Sequence, residues 1–132
     1  LVLAEPMSEK AHLDAVVALL TAEDARPFTL QQLKDLGTAL PEQYNEVQVA
    51  QRFGSGPRRA GAPSAVTQWR VLVRSVAKKY GNAQEMRKRA DAALQEAKVT
   101  VGGEDFFIER SVSDDPIGED DGWWSGVSEF AY

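Results

Sequence analysis

The 132-residue chain contains no cysteine and a single histidine, His12. Without thiols there is no disulfide, no Cys-based metal site and no thiol nucleophile, and a reducing compartment suffices. His12 has no carboxylate partner suggested nearby, so a metal or catalytic role is disfavoured; beside the core-spaced Leu13, it is expected at a solvent-facing helix position. Long apolar runs are also missing. None approaches the ~18 residues needed to span a bilayer, and the run from Leu1 to Ala4 is too short for a signal-peptide core, so a soluble protein without membrane contact is expected. The chain opens on Leu, which makes Met7 the expected natural start and residues 1–6 an added or flexible N-terminus. At this length one domain is expected, large enough to bury about two-thirds of its unfolded surface without staples.

Charge is plentiful but segregated. Residues 1–51 carry eight acids and three bases, 52–98 three acids and eleven bases, and 99–132 nine acids and one base, for a net charge of −5. Either the segments pair within one fold, or a basic surface of one copy meets an acidic surface of the next. A sequence-independent DNA binder is more often basic overall, so that class is disfavoured.

Periodicity predicts an α+β domain, an antiparallel sheet of about four strands with helices packed on it. Leu13, Val16, Val17 and Leu20 make a helical stripe ending near Ala22, with Ser8 as its cap. Thr29 and Gln32 form a capping box, Phe28 and Leu33 a hydrophobic staple, and Gly37 stops a second helix. Alternation marks strands at Tyr44–Phe53, Val66–Ala77, Glu104–Arg110 and Trp123–Tyr132. In the second strand Trp69, Val71 and Val73 share one face and Gln68, Arg70 and Arg74 the other, which Leu72 and Val76 interrupt, so that face expects partial cover. Asn82 with Glu85 predicts a helix over Ala83–Ala97, whose stripe of Met86, Ala90, Ala93, Leu94 and Ala97 must lie on the sheet while Arg87, Lys88 and Arg89 point away.

Two stretches resist regular structure. Residues 54–64, GSGPRRAGAPS, form a long flexible hairpin loop with Arg58 and Arg59 near its tip; they are either solvated loop residues or contacts to an acidic partner surface or DNA. This is no phosphate-binding loop, because a Walker sequence leads through Lys-Ser or Lys-Thr into a helix and this loop enters a strand. Residues 111–122 read as an acidic loop containing Asp114, Asp115, Asp120 and Asp121. Pro116 and Ile117 break the alternating ligands a calcium loop needs, so no metal and no cofactor is expected. The carboxylates also lack an accompanying base, nucleophile or phosphate cradle, so no catalytic residue is expected and the chain is not read as an enzyme. The final strand carries apolar groups on both faces, and Trp124 and Phe130 are expected to meet a neighbouring subunit.

Tyr80, Asn82, Ala83, Glu85 and Met86, followed by VTVGG, the DDPI loop and the closing DDGWWSG…F.Y strand, resemble tail terminator proteins of long-tailed bacteriophages. The likeness covers Tyr44–Tyr132 best and rests on element order and the aromatic C-terminus. It implies a virion protein, assembled in the host cytoplasm, that forms a six-membered ring on the head-proximal end of the tail tube. Such a ring stops tube growth and joins the tail to the head-completion protein of the neck. Its implied partners are further copies of itself, the tail tube protein and the neck protein, with genome DNA passing through the lumen unbound. The charge pattern agrees in kind, because a ring needs two different patches that meet head to tail, and an acidic lumen lets phosphates pass. Arg58, Arg59, Arg70, Arg74, Arg87 and Lys88 are the basic interface candidates, and the four aspartates above with Trp124 and Phe130 complete the set. The alternatives are a head-completion or connector protein of the neck and a small enzyme or binding module using the acidic loop.

Overall fold

A computed structural model describes residues 9–53 and 67–132, with the backbone alone at 52–53, 67–68 and 110–114. The Ser8 cap, the N-terminal residues and the GSGPRRAGAPS loop with Arg58 and Arg59 lie outside the described residues. The elements run α1 (Glu9–Ala22), β1 (Pro27–Thr29), α2 (Leu30–Leu36), β2 (Gln43–Phe53), β3 (Thr67–Ala77), α3 (Tyr80–Leu94), β4 (Lys98–Val101), β5 (Glu104–Phe107), β6 (Glu109–Asp114), β7 (Gly118–Asp120) and β8 (Trp123–Ala131). The α+β class holds, but the sheet is neither four-stranded nor wholly antiparallel. Its order is β1-β2-β3-β8-β6, β7 also pairs with β8, and β4-β5 form a separate hairpin. The short β1 runs parallel to β2, with Pro27 opposite Asn45.

The long hairpin β2-β3 is in continuous register from Gln43–Ala77 to Phe53–Thr67. Its alternation sends Val47, Val71 and Val73 to one face, where Val16 and Leu20 of α1 and Ala90, Ala93 and Leu94 of α3 meet them in the core. Met86, Ala90, Ala93 and Leu94 thus sit where their spacing requires, but α3 ends at Leu94, and Glu96 at φ 60° turns the chain before Ala97, which lies outside the helix. The start of α3 also differs from the expectation. α3 begins at Tyr80, Lys79 is its N-cap without a side-chain bond, and Asn82 lies inside the first turn. Tyr80 packs edge-on against Trp124 at 5.2 Å and accepts a hydrogen bond from Gln84, so tertiary contact draws the helix back three residues from the local capping signal. The α2 capping box is present as read, with Thr29 Oγ1 accepting from Gln32 and Gln32 Oε1 accepting from the Thr29 N–H.

Glu104–Arg110 is not one strand. β5 pairs with β4, Ile108 is buried at the break, and β6 then joins the main sheet beside β8. The acidic stretch 111–122 is likewise no plain loop. Its first part completes β6, its last part is β7, and Asp121-Gly122 turns the chain into β8 with φ of 53° and 83°. Two successive left-handed residues make the tight hairpin turn that Asp-Gly favours.

Buried Asn45 ties the layers together. Its Nδ2 donates to the Ala25 carbonyl at 2.7 Å and the Met86 carbonyl at 3.0 Å, and its Oδ1 accepts from Ser75 Oγ at 2.7 Å. One side chain thereby links the segment after α1, the middle of α3 and strand β3.

Candidate functional site

α1 and α3 cover one face of the sheet; the other face is open and is not simply polar. On it Leu72, Val127 and Ala131 are half-buried beside a two-pronged ion pair, Arg70 Nε to Glu129 Oε2 at 2.9 Å and Nη2 to Oε1 at 3.0 Å. A solvated sheet face usually alternates to polar side chains, so apolar groups interleaved with a held ion pair suit contact rather than water.

At one end of this face lies a notch of about 310 Å³ lined by Leu40, Tyr44, Glu46, Arg74, Val76, Asp120, Asp121, Trp123 and Ser125. The register explains the gathering: Tyr44 stands opposite Val76, Val76 opposite Ser125, and Asp120 opposite Trp123. Tyr44 packs edge-on against Phe28 at 5.8 Å and Trp123 at 6.4 Å, and the Lys78 ammonium lies 5.2 Å from the centre of a Trp123 ring. Burial, with Glu46 adding to it, raises the Tyr44 hydroxyl above its ordinary pKa, while Arg74 pulls the other way. The hydroxyl therefore stays protonated and able to donate.

A second groove runs between α3 and the break in the edge strand, lined by Tyr80, Gln84, Arg87, Lys88, Asp91, Pro116 and Ile117. Arg87 does not point away from the sheet as its spacing implied. Its Nη2 donates to the Asp115 carbonyl at 2.7 Å, passing over Gly126, where an added Cβ would stand 2.5 Å from that nitrogen. Lack of a side chain at Gly126 is what lets the guanidinium cross β8.

His12 is the clearest reversal. It is fully buried rather than solvent-facing, stacked on Trp69 at 3.7 Å, with Nδ1 2.8 Å from the Tyr132 hydroxyl and Phe106 at 5.4 Å. Its Nε2 has no hydrogen-bond partner among the described residues. Desolvation lowers the His12 pKa, opposed by the Glu104 carboxylate, and burial raises that of the Tyr132 hydroxyl. The ring is thus a neutral spacer between α1 and the end of the sheet, where Tyr132 and Trp69 exchange two backbone bonds.

The candidates therefore separate. Arg74, Asp120 and Asp121 share the notch; Arg87, Lys88 and the Asp115 carbonyl share the groove; Arg70 is held by Glu129. Asp114 ends β6, with only its backbone described. Phe130 is fully buried in the core, so it is not available to a partner, and Trp124 faces α3 through Tyr80. Trp123 is the tryptophan on the open face. Period two separated the two tryptophans but did not say which face the helices cover. Tyr44 and Trp123 were missed as site residues; their adjacency across three strands has no signal within either segment. Among the described residues no group of three His, Asp or Glu side chains is placed to hold a metal. Compared with known proteins, the chain matches no family model and no curated sequence.

Proposed function

We propose that this protein is a self-assembling structural subunit, a tail terminator that closes into a ring on the head-proximal end of a phage tail tube, ends tube growth and joins tail to head. The observation that carries the reading is the one-sided cover of the sheet, with an open face bearing Trp123, Leu72 and Val127 among charged groups. Apolar surface of this kind is stabilised when a second surface removes it from water, at about 25 cal/mol per Å². The DDGWWSG strand, part of the likeness to the terminator family, supplies Trp123 to this face, and the net charge of −5 suits a lumen that lets DNA pass. In this reading the further partners are the tail tube protein on one rim and the neck protein on the other. The test is to add the purified protein to polymerising tail tube protein. Tubes of fixed length that no longer elongate are expected, and undiminished growth would refute the role; a neck connector would bind finished tails without changing tube length.

A further inference from the structure

We infer that His12 is an acid-sensitive latch, whose protonation releases the first turns of α1 from the end of the sheet while Val16 and Leu20 stay docked. His12 is fully buried, its ring stacked on Trp69 at 3.7 Å, tilted against Phe106 at 5.4 Å and set beside Tyr132 at 5.7 Å. Its one hydrogen bond joins Nδ1 to the Tyr132 hydroxyl at 2.8 Å, and Nε2 has no partner among the described residues. A neutral ring fits this box, because only one of its two nitrogens carries a proton. The imidazolium carries a proton on both, which places a charge inside an aromatic enclosure and leaves the Nε2–H without an acceptor. Stacking on the indole offsets part of that cost as a cation–π attraction, but no carboxylate touches the ring.

The groups packed around the ring do not compensate for the charge. From β5, the exposed Glu104 acts on His12 through its field alone, while Asp105 lies 4.0 Å from Lys98 of β4. From β3, Arg70 stands on the opposite face of the sheet, held by Glu129 of β8. Burial keeps the Tyr132 hydroxyl protonated. β2 and α3 bring apolar core groups to α1, among them Val47, Val49, Ala93 and Leu94. On α1 itself Lys10 pairs with Asp14, and the Glu9 carboxylate accepts from the Gln51 N–H of β2. His12 is the fourth residue of α1, where the positive end of the helix dipole also disfavours a cation.

Position makes the release local. Residues 9–13 are the free end of the helix, its fully buried anchors Val16 and Leu20 lie farther along, and helix ends open at lower free energy than a core. The same turns guard the sheet edge. β1 covers β2 only at Asn45–Val47, and beyond it the Gln51 N–H, on the same edge as the Asn45 N–H that bonds the Arg26 carbonyl, is taken by Glu9. Opening therefore lengthens an unpaired strand edge and uncovers Trp69, Phe106 and Tyr132, two changes that favour association. The sign follows from linkage. Burial holds the docked ring below its ordinary pKa of 6.5, with Glu104 opposing, so the opened ring takes up a proton that the docked one refuses. Each pH unit below 6.5 then raises the opening constant by up to about tenfold, until the docked ring titrates as well.

Amide hydrogen exchange followed by NMR on the full chain, from about pH 7.5 to about pH 5 and corrected for intrinsic exchange, tests the latch. The amides of residues 13–16, which bond back to the carbonyls of residues 9–12, and the Gln51 amide are expected to lose about tenfold or more in protection between pH 6.5 and 5. The Val71 and Val73 amides of the core should stay about a hundredfold better protected throughout. His12→Phe keeps an aromatic ring and His12→Gln keeps a polar group; neither titrates, so either one that folds should remove the pH dependence. A smaller loss in the wild type overturns the latch, as does the same loss in a folded variant. Residues 13–16 protected as well as Val71 and Val73 would also overturn it, because α1 would then open only when the whole chain unfolds.

Discussion

Replacing Asn45 is the sharpest probe of how the notch is held, because Asn45 neighbours Tyr44 and Glu46 on β2 and fixes that strand against α3 and the segment after α1. Asn45→Ala removes both bonds donated by Nδ2 and the one accepted from Ser75. The Met86 carbonyl keeps its place in the α3 ladder, but the Ala25 carbonyl and the Ser75 hydroxyl lose a buried partner. Each orphaned group costs about 1–3 kcal/mol, so with the small cavity a loss of about 3–5 kcal/mol is expected. Ser75→Ala, which removes one bond, should cost about 1 kcal/mol. Asn45→Asp is nearly isosteric but sets a carboxylate against two carbonyl oxygens. It should be at least as damaging as the alanine at neutral pH and recover partly in acid, where a protonated carboxyl can donate again. Urea unfolding followed by tryptophan fluorescence measures all three. If Asn45→Ala fell within 1 kcal/mol of Ser75→Ala, the side chain would not be the link described.

The two tryptophans should part. Trp124→Ala, on the α3 side, is expected to cost about 2–3 kcal/mol of stability, somewhat less than a fully buried tryptophan, whereas Trp123→Ala should keep most of its stability and fail to assemble; equal destabilisation of both would put Trp123 in the core. The neutral His12 sets a pH dependence. Its folded pKa is lowered below the ordinary value of 6.5, so the unfolded chain binds the extra proton and stability falls as pH drops below 6.5, by up to about 1.4 kcal/mol per pH unit from this group. His12→Phe should abolish that component of the unfolding curve between pH 6.5 and 5, and an unchanged slope would show that other groups cause it. Assembly should weaken with salt, because exposed charges are screened beyond about 8 Å at physiological ionic strength, and a mass distribution identical at low and high salt would argue for apolar contacts alone.

The long strands and α3 were legible because their periods are sustained. Val71 and Val73 point inward as read, and Met86, Ala90, Ala93 and Leu94 are buried. Short or locally ambiguous elements were not. β1 has three residues, too few for a period, and it pairs in parallel with a strand that local pattern cannot nominate. Acidity hid β6 and β7, although the Asp121-Gly122 hairpin signal was in plain view. Polarity was taken as exposure at His12, whose partners Trp69, Phe106 and Tyr132 are distant in the chain and supply the burial. Gly102 and Gly103, both with positive φ, make the turn between β4 and β5. The notch illustrates the general limit: its aromatic and acidic groups come from β2, the β7-β8 turn and β8, and only the register brings them together.

The most direct test of the assembly account is native mass spectrometry of the wild-type chain across a concentration series at low salt. The account predicts one closed species of six copies that gives way to monomer on dilution or added salt. A monomer at every concentration, or an open-ended ladder of masses without a closed species, would contradict it.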